Sequence, residues 1–208
     1  MTRVAGNDDL VVTDGAGKSV CSVTMLDTGA SFAWSPDGRR VAWIDSGSTT
    51  NLTAPLYVVD LVEGKKQRVH KNAIGFFWSP DSARLAVYSV AQPSSQAPSG
   101  KSSTKLNRPA TQTETPLLHI EIVDAVTGDS MRVSDTRPTR GTVEMLSYFD
   151  QYARSVTPWS PAGDRLVFTD AREDGSTIDM VVAELNQTRD AVTLRHVGAG
   201  VIAFWSPR

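Results

Sequence analysis

Four segments of this chain begin with the same three residues, and their spacing constrains the fold more than any other feature. Trp34-Ser35-Pro36-Asp37-Gly38-Arg39-Arg40-Val41-Ala42-Trp43 is echoed by Trp78-Ser79-Pro80-Asp81-Ser82-Ala83-Arg84-Leu85-Ala86-Val87. A third copy is Trp159-Ser160-Pro161-Ala162-Gly163-Asp164-Arg165-Leu166-Val167-Phe168, and Trp205-Ser206-Pro207-Arg208 begins a fourth. The tryptophans stand 44, 81 and 46 residues apart. Two of these intervals match a repeat of four short strands, and the third is the same unit carrying roughly 37 further residues.

Each part of the repeat has a physical task. Ser-Pro-Asp-Gly encodes a type I turn: the serine caps the first position, proline fixes φ at the second, aspartate suits the third and glycine ends it. The residues on either side are rich in Val, Ile, Phe and Trp, as strands are. The first unit therefore predicts strands at 32–34, 40–44, 56–61 and 67–70. The second predicts them at 75–78, 84–89, 117–123 and 131–133, and the third at 157–159, 165–169, 178–185 and 192–197. No segment sustains a 3.6-residue apolar period, so the chain reads as all-β.

These turns resemble those of the TolB-like family of β-propeller repeats, whose hallmark is the W-S-P-D-G turn followed by a short apolar strand. The resemblance covers residues 10–208 apart from two insertions. It implies four-stranded antiparallel blades around a central axis, with the strand entering each turn innermost. The second and third copies depart from the pattern, with Asp81-Ser82 and Ala162-Gly163 in place of Asp-Gly. Both still encode turns.

The 208 residues suit one domain, a single propeller over 1–208, and counting blades makes it an incomplete one. Two strands at 10–13 and 19–25 precede the first unit as the outer half of a blade, and one at 201–205 follows the last as an inner edge. Three full blades and parts of a fourth fall short of the four to eight that close a ring, and open blades leave exposed edges. Three arrangements satisfy this: the C-terminal part of a longer propeller, an imperfect four-bladed ring, or a homodimer joined through the open blade edges into a ring of eight.

The extra residues of the second unit fall into two insertions. Residues 92–116 are rich in Ser, Pro, Thr and Gln and read as an extended or disordered loop. Residues 137–156 contain Met145-Leu146-Ser147-Tyr148-Phe149-Asp150-Gln151-Tyr152, dense in aromatics and close to a short helical pattern. A long loop with apolar content on a propeller face is a place for binding, which makes Tyr148, Phe149, Asp150, Gln151 and Tyr152 the candidate site. The competing expectation is that these aromatics plug the axial channel or cover a blade.

Enzyme signatures fail on inspection. Asp14-Gly15-Ala16-Gly17-Lys18-Ser19 looks like the end of a phosphate-binding loop, but Val12 stands where a glycine is required and an alternating strand follows. Asp170-Ala171-Arg172-Glu173-Asp174-Gly175 approaches a calcium loop, but Arg172 replaces an oxygen ligand and Val181 the closing glutamate. There is no Gly-x-Ser-x-Gly elbow. His70, His119 and His196 are far apart and read as strand residues, and Cys21 is a lone small strand residue. Asn51-Leu52-Thr53 and Asn186-Gln187-Thr188 match the glycosylation pattern but carry no weight without a signal peptide. Positions 32–34, 76–78, 157–159 and 202–205 are aromatic or small, so no axial metal, catalytic residue or cofactor is expected.

With 21 basic and 23 acidic side chains the net charge is -2, which argues against nucleic acid and against a polybasic membrane anchor. No apolar run reaches the 18 or so residues of a membrane span, and the N-terminus carries no secretory signal. The expectation is a cytoplasmic chain, or an extracytoplasmic one if Met1 is not the ancestral start. The function expected is a non-enzymatic module that binds or scaffolds a protein or small ligand. The alternative is a substrate-gating propeller domain that works with a prolyl-oligopeptidase-like serine hydrolase domain absent from this chain.

Overall fold

A computed structural model describes residues 9–24, 30–45, 53–90, 117–153, 155–172, 176–186, 188 and 190–206. The insertion expected at 92–116 lies outside them. Every described sheet is antiparallel and runs in sequence order. A hairpin of β1 (Asp9–Thr13) and β2 (Ser19–Thr24) comes first. Blade 1 is β3 (Ala30–Trp34), β4 (Arg40–Asp45), β5 (Ala54–Asp60) and β6 (Lys66–Ala73). Blade 2 is β7 (Gly75–Trp78), β8 (Arg84–Val90), β9 (Leu118–Asp124) and β10 (Ser130–Thr136). Two helices, α1 (Arg140–Ser147) and α2 (Phe149–Tyr152), precede blade 3, whose sheet holds β11 (Arg165–Ala171), β12 (Ile178–Leu185) and β13 (Val192–Ala199).

The Ser-Pro turns explain why the inner hairpins form. In blade 1 the Ser35 hydroxyl donates to Asp37 Oδ1 at 2.6 Å and accepts from the Arg40 N–H at 2.9 Å. Ser79 repeats this with Asp81 at 2.5 Å and Arg84 at 2.9 Å. In the third copy, which lacks the usual aspartate, Ser160 donates instead to Asp164 at 2.8 Å and still accepts from Arg165 at 3.1 Å. The last turn residue needs a left-handed backbone, supplied by Gly38 (φ 70°) and Gly163 (φ 67°). Ser82 adopts it as well, at φ 60°, and its Oγ accepts from the Asp37 N–H of the neighbouring blade at 3.0 Å.

Blades are tied to one another by the same tryptophans that mark the repeat. Trp78 Nε1 donates to the Ala33 carbonyl at 3.1 Å, and Trp159 Nε1 donates to the Phe77 carbonyl at 3.0 Å. Each indole thus reaches the residue just before the tryptophan of the preceding blade. The main core runs through blades 1, 2 and 3 and includes Leu56, Phe76, Phe77, Leu85, Ile120, Trp159 and Leu166. A smaller cluster of Val12, Val41, Trp43 and Val59 seats the β1–β2 hairpin on blade 1.

Two elements differ from the sequence expectation. The strand expected at 157–159 is reduced to isolated bridges, Trp159 to Leu166 and Thr157 to Trp205. Pro158 stands between them and has no N–H to give a ladder. The strand expected at 201–205 is likewise a single bridge, with the Trp205 N–H donating to Thr157 O at 2.9 Å. Among the described residues that segment makes one backbone bridge where a paired strand makes several.

Candidate binding surface

The second insertion begins as a capped helix. Thr139 is extended (φ -79°, ψ 165°) and its hydroxyl accepts from the Thr142 N–H at 3.1 Å, closing the first turn of α1. The same hydroxyl lies 2.6 Å from the Val201 carbonyl, to which it donates, so the cap also fastens the segment after β13. Thr142 and Thr169 hydroxyls meet at 2.8 Å beneath it, and Thr136 donates to the Thr169 carbonyl at 2.7 Å. This buried hydroxyl chain joins blade 2, α1 and blade 3. It was not anticipated; the cap lacks the glutamate three residues on that advertises a capping box.

The helices turn one face inward. Met145 and Leu146 are buried, and Phe149 is 3% exposed, with its ring 4.8 Å from Phe76 and 6.4 Å from Phe77. Gly75 makes this approach feasible: a β-carbon there would stand 2.9 Å from Leu146 Cδ2. Between the insertion and blade 1 a cavity of about 130 Å³ remains, lined by Ser31, Ile44, Ala54, Ala73, Leu146 and Phe149 among others.

The five candidate residues are therefore divided. Phe149 is packed against the inner strand of blade 2. Tyr148 is 51% exposed, and Asp150 and Gln151 are exposed beside it. The side chain of Tyr152 lies outside the described residues. Tyr148 also ends α1, its N–H reaching the Met145 carbonyl at 3.4 Å, so the displayed side chains sit on a short braced corner.

The histidines are not brought together. His70 Nε2 lies 2.8 Å from Glu121 Oε2 across the junction of blades 1 and 2, and Arg132 reaches Glu121 Oε1 at 3.4 Å. His119 Nδ1 lies 2.8 Å from Asp135, which also accepts from Arg132 Nε at 2.8 Å. Burial pushes the Asp135 carboxyl up, but its bonds from Arg132 and His119 outweigh that and hold it below the usual range. His196 stands apart, 3.7 Å from Asp179. Among the described residues no group of three His, Cys, Asp or Glu side chains is placed to hold a metal ion. Asp14 closes the β1–β2 hairpin, accepting from the N–H groups of Ala16 and Lys18 at 2.9 Å each. The polar chain from His70 to Asp135 was not anticipated either, because its members come from strands far apart in sequence.

Neither a family model nor a curated protein matches the sequence. Solved structures do match. The acylaminoacyl peptidase of Pyrococcus horikoshii is 15% identical over 92% of this chain and 28% of its own, with a TM-score of 0.55. The fold is a β-propeller. It is also a partial one, with three blades and a leading hairpin described. TolB from Acinetobacter baumannii is 18% identical over 89% of this chain and 36% of its own, with a TM-score of 0.46. The β-propeller domain of the trilobed protease from Pyrococcus furiosus is 13% identical over 82% of this chain and 43% of its own, with a TM-score of 0.49. The chain spans less than half the length of each of these proteins. Among the described residues no helix is long and apolar enough to cross a membrane.

Proposed function

We propose that this propeller is a non-enzymatic module that binds a protein or small ligand through the exposed corner of its helical insertion. The supporting observation is the division of side chains there: Phe149 is locked among Phe76 and Phe77 while Tyr148, Asp150 and Gln151 face solvent. Side chains held on a braced corner lose less freedom on binding than those of a loose loop. A tyrosine beside a carboxylate and an amide offers contact area and hydrogen bonds together.

The test compares wild type with the double variant Tyr148→Ala, Asp150→Ala, each immobilised and exposed to a native lysate. A species retained by wild type and lost by the variant, at unchanged melting temperature, supports this corner as the site. Equal capture by both overturns it. Turnover of aryl esters or aminoacyl anilides by the purified chain above buffer would remove the non-enzymatic part.

The similarity to the acylaminoacyl peptidase favours a second reading, in which the propeller gates a serine hydrolase domain. A captured protein that reacts with a fluorophosphonate probe would point to that reading.

A further inference from the structure

The repeat carries its own comparison for the cavity between the insertion and blade 1. Strand pairing sets Ser31, Ile44, Ala54 and Ala73 of blade 1 at the positions that Gly75, Tyr88, Leu118 and Thr136 hold in blade 2. Ser31 pairs with Ile44 as Gly75 does with Tyr88, and Ala54 with Ala73 as Leu118 does with Thr136. In blade 2 that space is filled. Tyr88 is 2% exposed, its ring meets Phe77 edge-on at 6.1 Å, and the void beside it is about 10 Å³. In blade 1, Ile44 stands for the tyrosine, Ala54 for the leucine and Ala33 for Phe77, and the space widens to about 130 Å³. The same insertion covers both places: Thr142 and Met145 of α1 line the void at Tyr88, while Leu146, Ser147 and Phe149 line the cavity.

The walls suit what is missing. Ile44, Ala54, Ala73, Leu146 and Phe149 are buried and make an apolar floor, while half-buried Ser31 and exposed Ser147 bring hydroxyls to the mouth. Ile44, Ala54 and Ala73 belong to the core shared with blade 2, not to the cluster under the β1–β2 hairpin, so the cavity lies within the arc. Its volume is close to the roughly 150 Å³ of an apolar cavity that takes up benzene. Ser147 Oγ donates to the Val143 carbonyl at 2.9 Å, which leaves its lone pairs to accept, and the Ser31 hydroxyl can donate. Two hydroxyls above an apolar floor suit a ring with one polar substituent better than water, each molecule of which needs about two to four polar partners.

We propose that this cavity binds one uncharged phenol ring, which takes in blade 1 the place that Tyr88 fills in blade 2. Ile44, Leu146 and Phe149 enclose the ring, and its hydroxyl donates to Ser147 Oγ and accepts from Ser31. The ring arrives either as a free small phenol or as the tyrosine side chain of a partner. The inference rests on the helical corner being the face a ligand reaches, and the two fail separately. Lysate capture with substitutions at Tyr148 and Asp150 tests the corner, whereas a defined probe with substitutions at the cavity walls tests the cavity.

The probe is p-cresol, titrated into the full 208-residue chain and followed by saturation-transfer NMR, with toluene as the same ring lacking the hydroxyl. Wild type is expected to bind p-cresol saturably and more tightly than toluene. Ala54→Leu and Ile44→Tyr copy the filling of blade 2 into blade 1, and each is expected to abolish p-cresol binding without lowering the melting temperature. The double variant Ser31→Ala, Ser147→Ala removes only hydroxyls and is expected to weaken p-cresol about tenfold while leaving toluene unaffected. A blocked Gly-Tyr-Gly peptide separates the two sources: binding at least as tight as that of p-cresol marks a tyrosine side chain, and its exclusion marks a free phenol. No saturation by p-cresol up to its solubility limit overturns the proposal. So does equal affinity for toluene, and so does p-cresol binding that persists in the folded Ala54→Leu and Ile44→Tyr variants. Should neither of those melt cooperatively, unchanged p-cresol affinity in the serine double variant overturns it alone.

Discussion

The turn serine does more for this fold than its size suggests. Buried in all three copies, it accepts the N–H of the arginine that starts the next strand and donates to a nearby carboxylate. Ser79→Ala leaves the Arg84 N–H and Asp81 short of a partner inside the turn. It is expected to cost about 1–2 kcal/mol, seen as a lower denaturant midpoint with an unchanged slope. The carboxylates carry a pH dependence. Burial pushes the Asp37 carboxyl up, but the Ser35 hydroxyl, the Arg39 N–H and the Arg40 charge outweigh it and leave it below 3.8. Asp60 is lowered against the same effect of burial by the Glu63 and Val62 N–H groups and by Arg39. A carboxylate with a depressed folded value stabilises above its unfolded pKa and loses that stabilisation as pH falls through the folded one. The melting temperature is therefore expected to hold level above about pH 5 and to drop below about pH 4. Asp37→Asn should make the drop shallower; an equally steep drop in that variant would contradict the assignment. The turn was readable in the sequence because proline and glycine announce it. The move of the carboxylate from the third turn position to Asp164 in the last copy was not, since only geometry shows that both places reach the serine.

At the scale of elements, the insertion divides into anchor and display, and the two halves should respond differently to truncation. Phe149→Ala removes a ring packed on Phe76 and Phe77 and is expected to cost about 3–5 kcal/mol. Tyr148→Ala, one residue earlier, is expected to stay within about 0.5 kcal/mol. Thermal or urea unfolding of the pair checks this, and equal losses would mean that the corner is not divided as described. The first three strands of blades 1 and 2 were legible because each alternates or runs apolar between turn residues, whereas β6 and β10 are mostly polar and showed only in part. The two helices showed only as a short, aromatic-dense stretch. With eight and four residues they are too brief for a helical period to stand out, and α1 forms because Thr139 caps it and Met145 and Leu146 find the end of blade 2. Which of the five candidate residues would face outward was hidden for the same reason: one turn of helix decides it, and the sequence leaves the phase open. The bridges at Thr157 and Trp205 show the converse limit, where an apolar segment of the right composition lacks an N–H or a neighbour and does not become a strand.

For the whole molecule, the arc behaves as a row of units, each coupled to the next through a buried indole and the packing around it. Stability in such a row is a sum of unit terms and nearest-neighbour terms, so weakening one junction should partition the unfolding rather than lower it uniformly. The junction of blades 2 and 3 is the place to test this, because Trp159 is fully buried and its N–H reaches Phe77 O across it. Trp159→Phe keeps most of the apolar volume but leaves that carbonyl without its indole donor, an expected loss of about 1 kcal/mol from the bond together with some packing. Hydrogen exchange is the measurement that separates the outcomes. Amides of β11 and β12 are expected to exchange faster in the variant, while those of β4 and β5, a blade further away, keep nearly wild-type protection. Uniform acceleration through all three blades would show instead that the arc unfolds as one cooperative body. In that case the coupling is carried by the continuous core and the threonine chain beneath α1, with the indole a minor part of it.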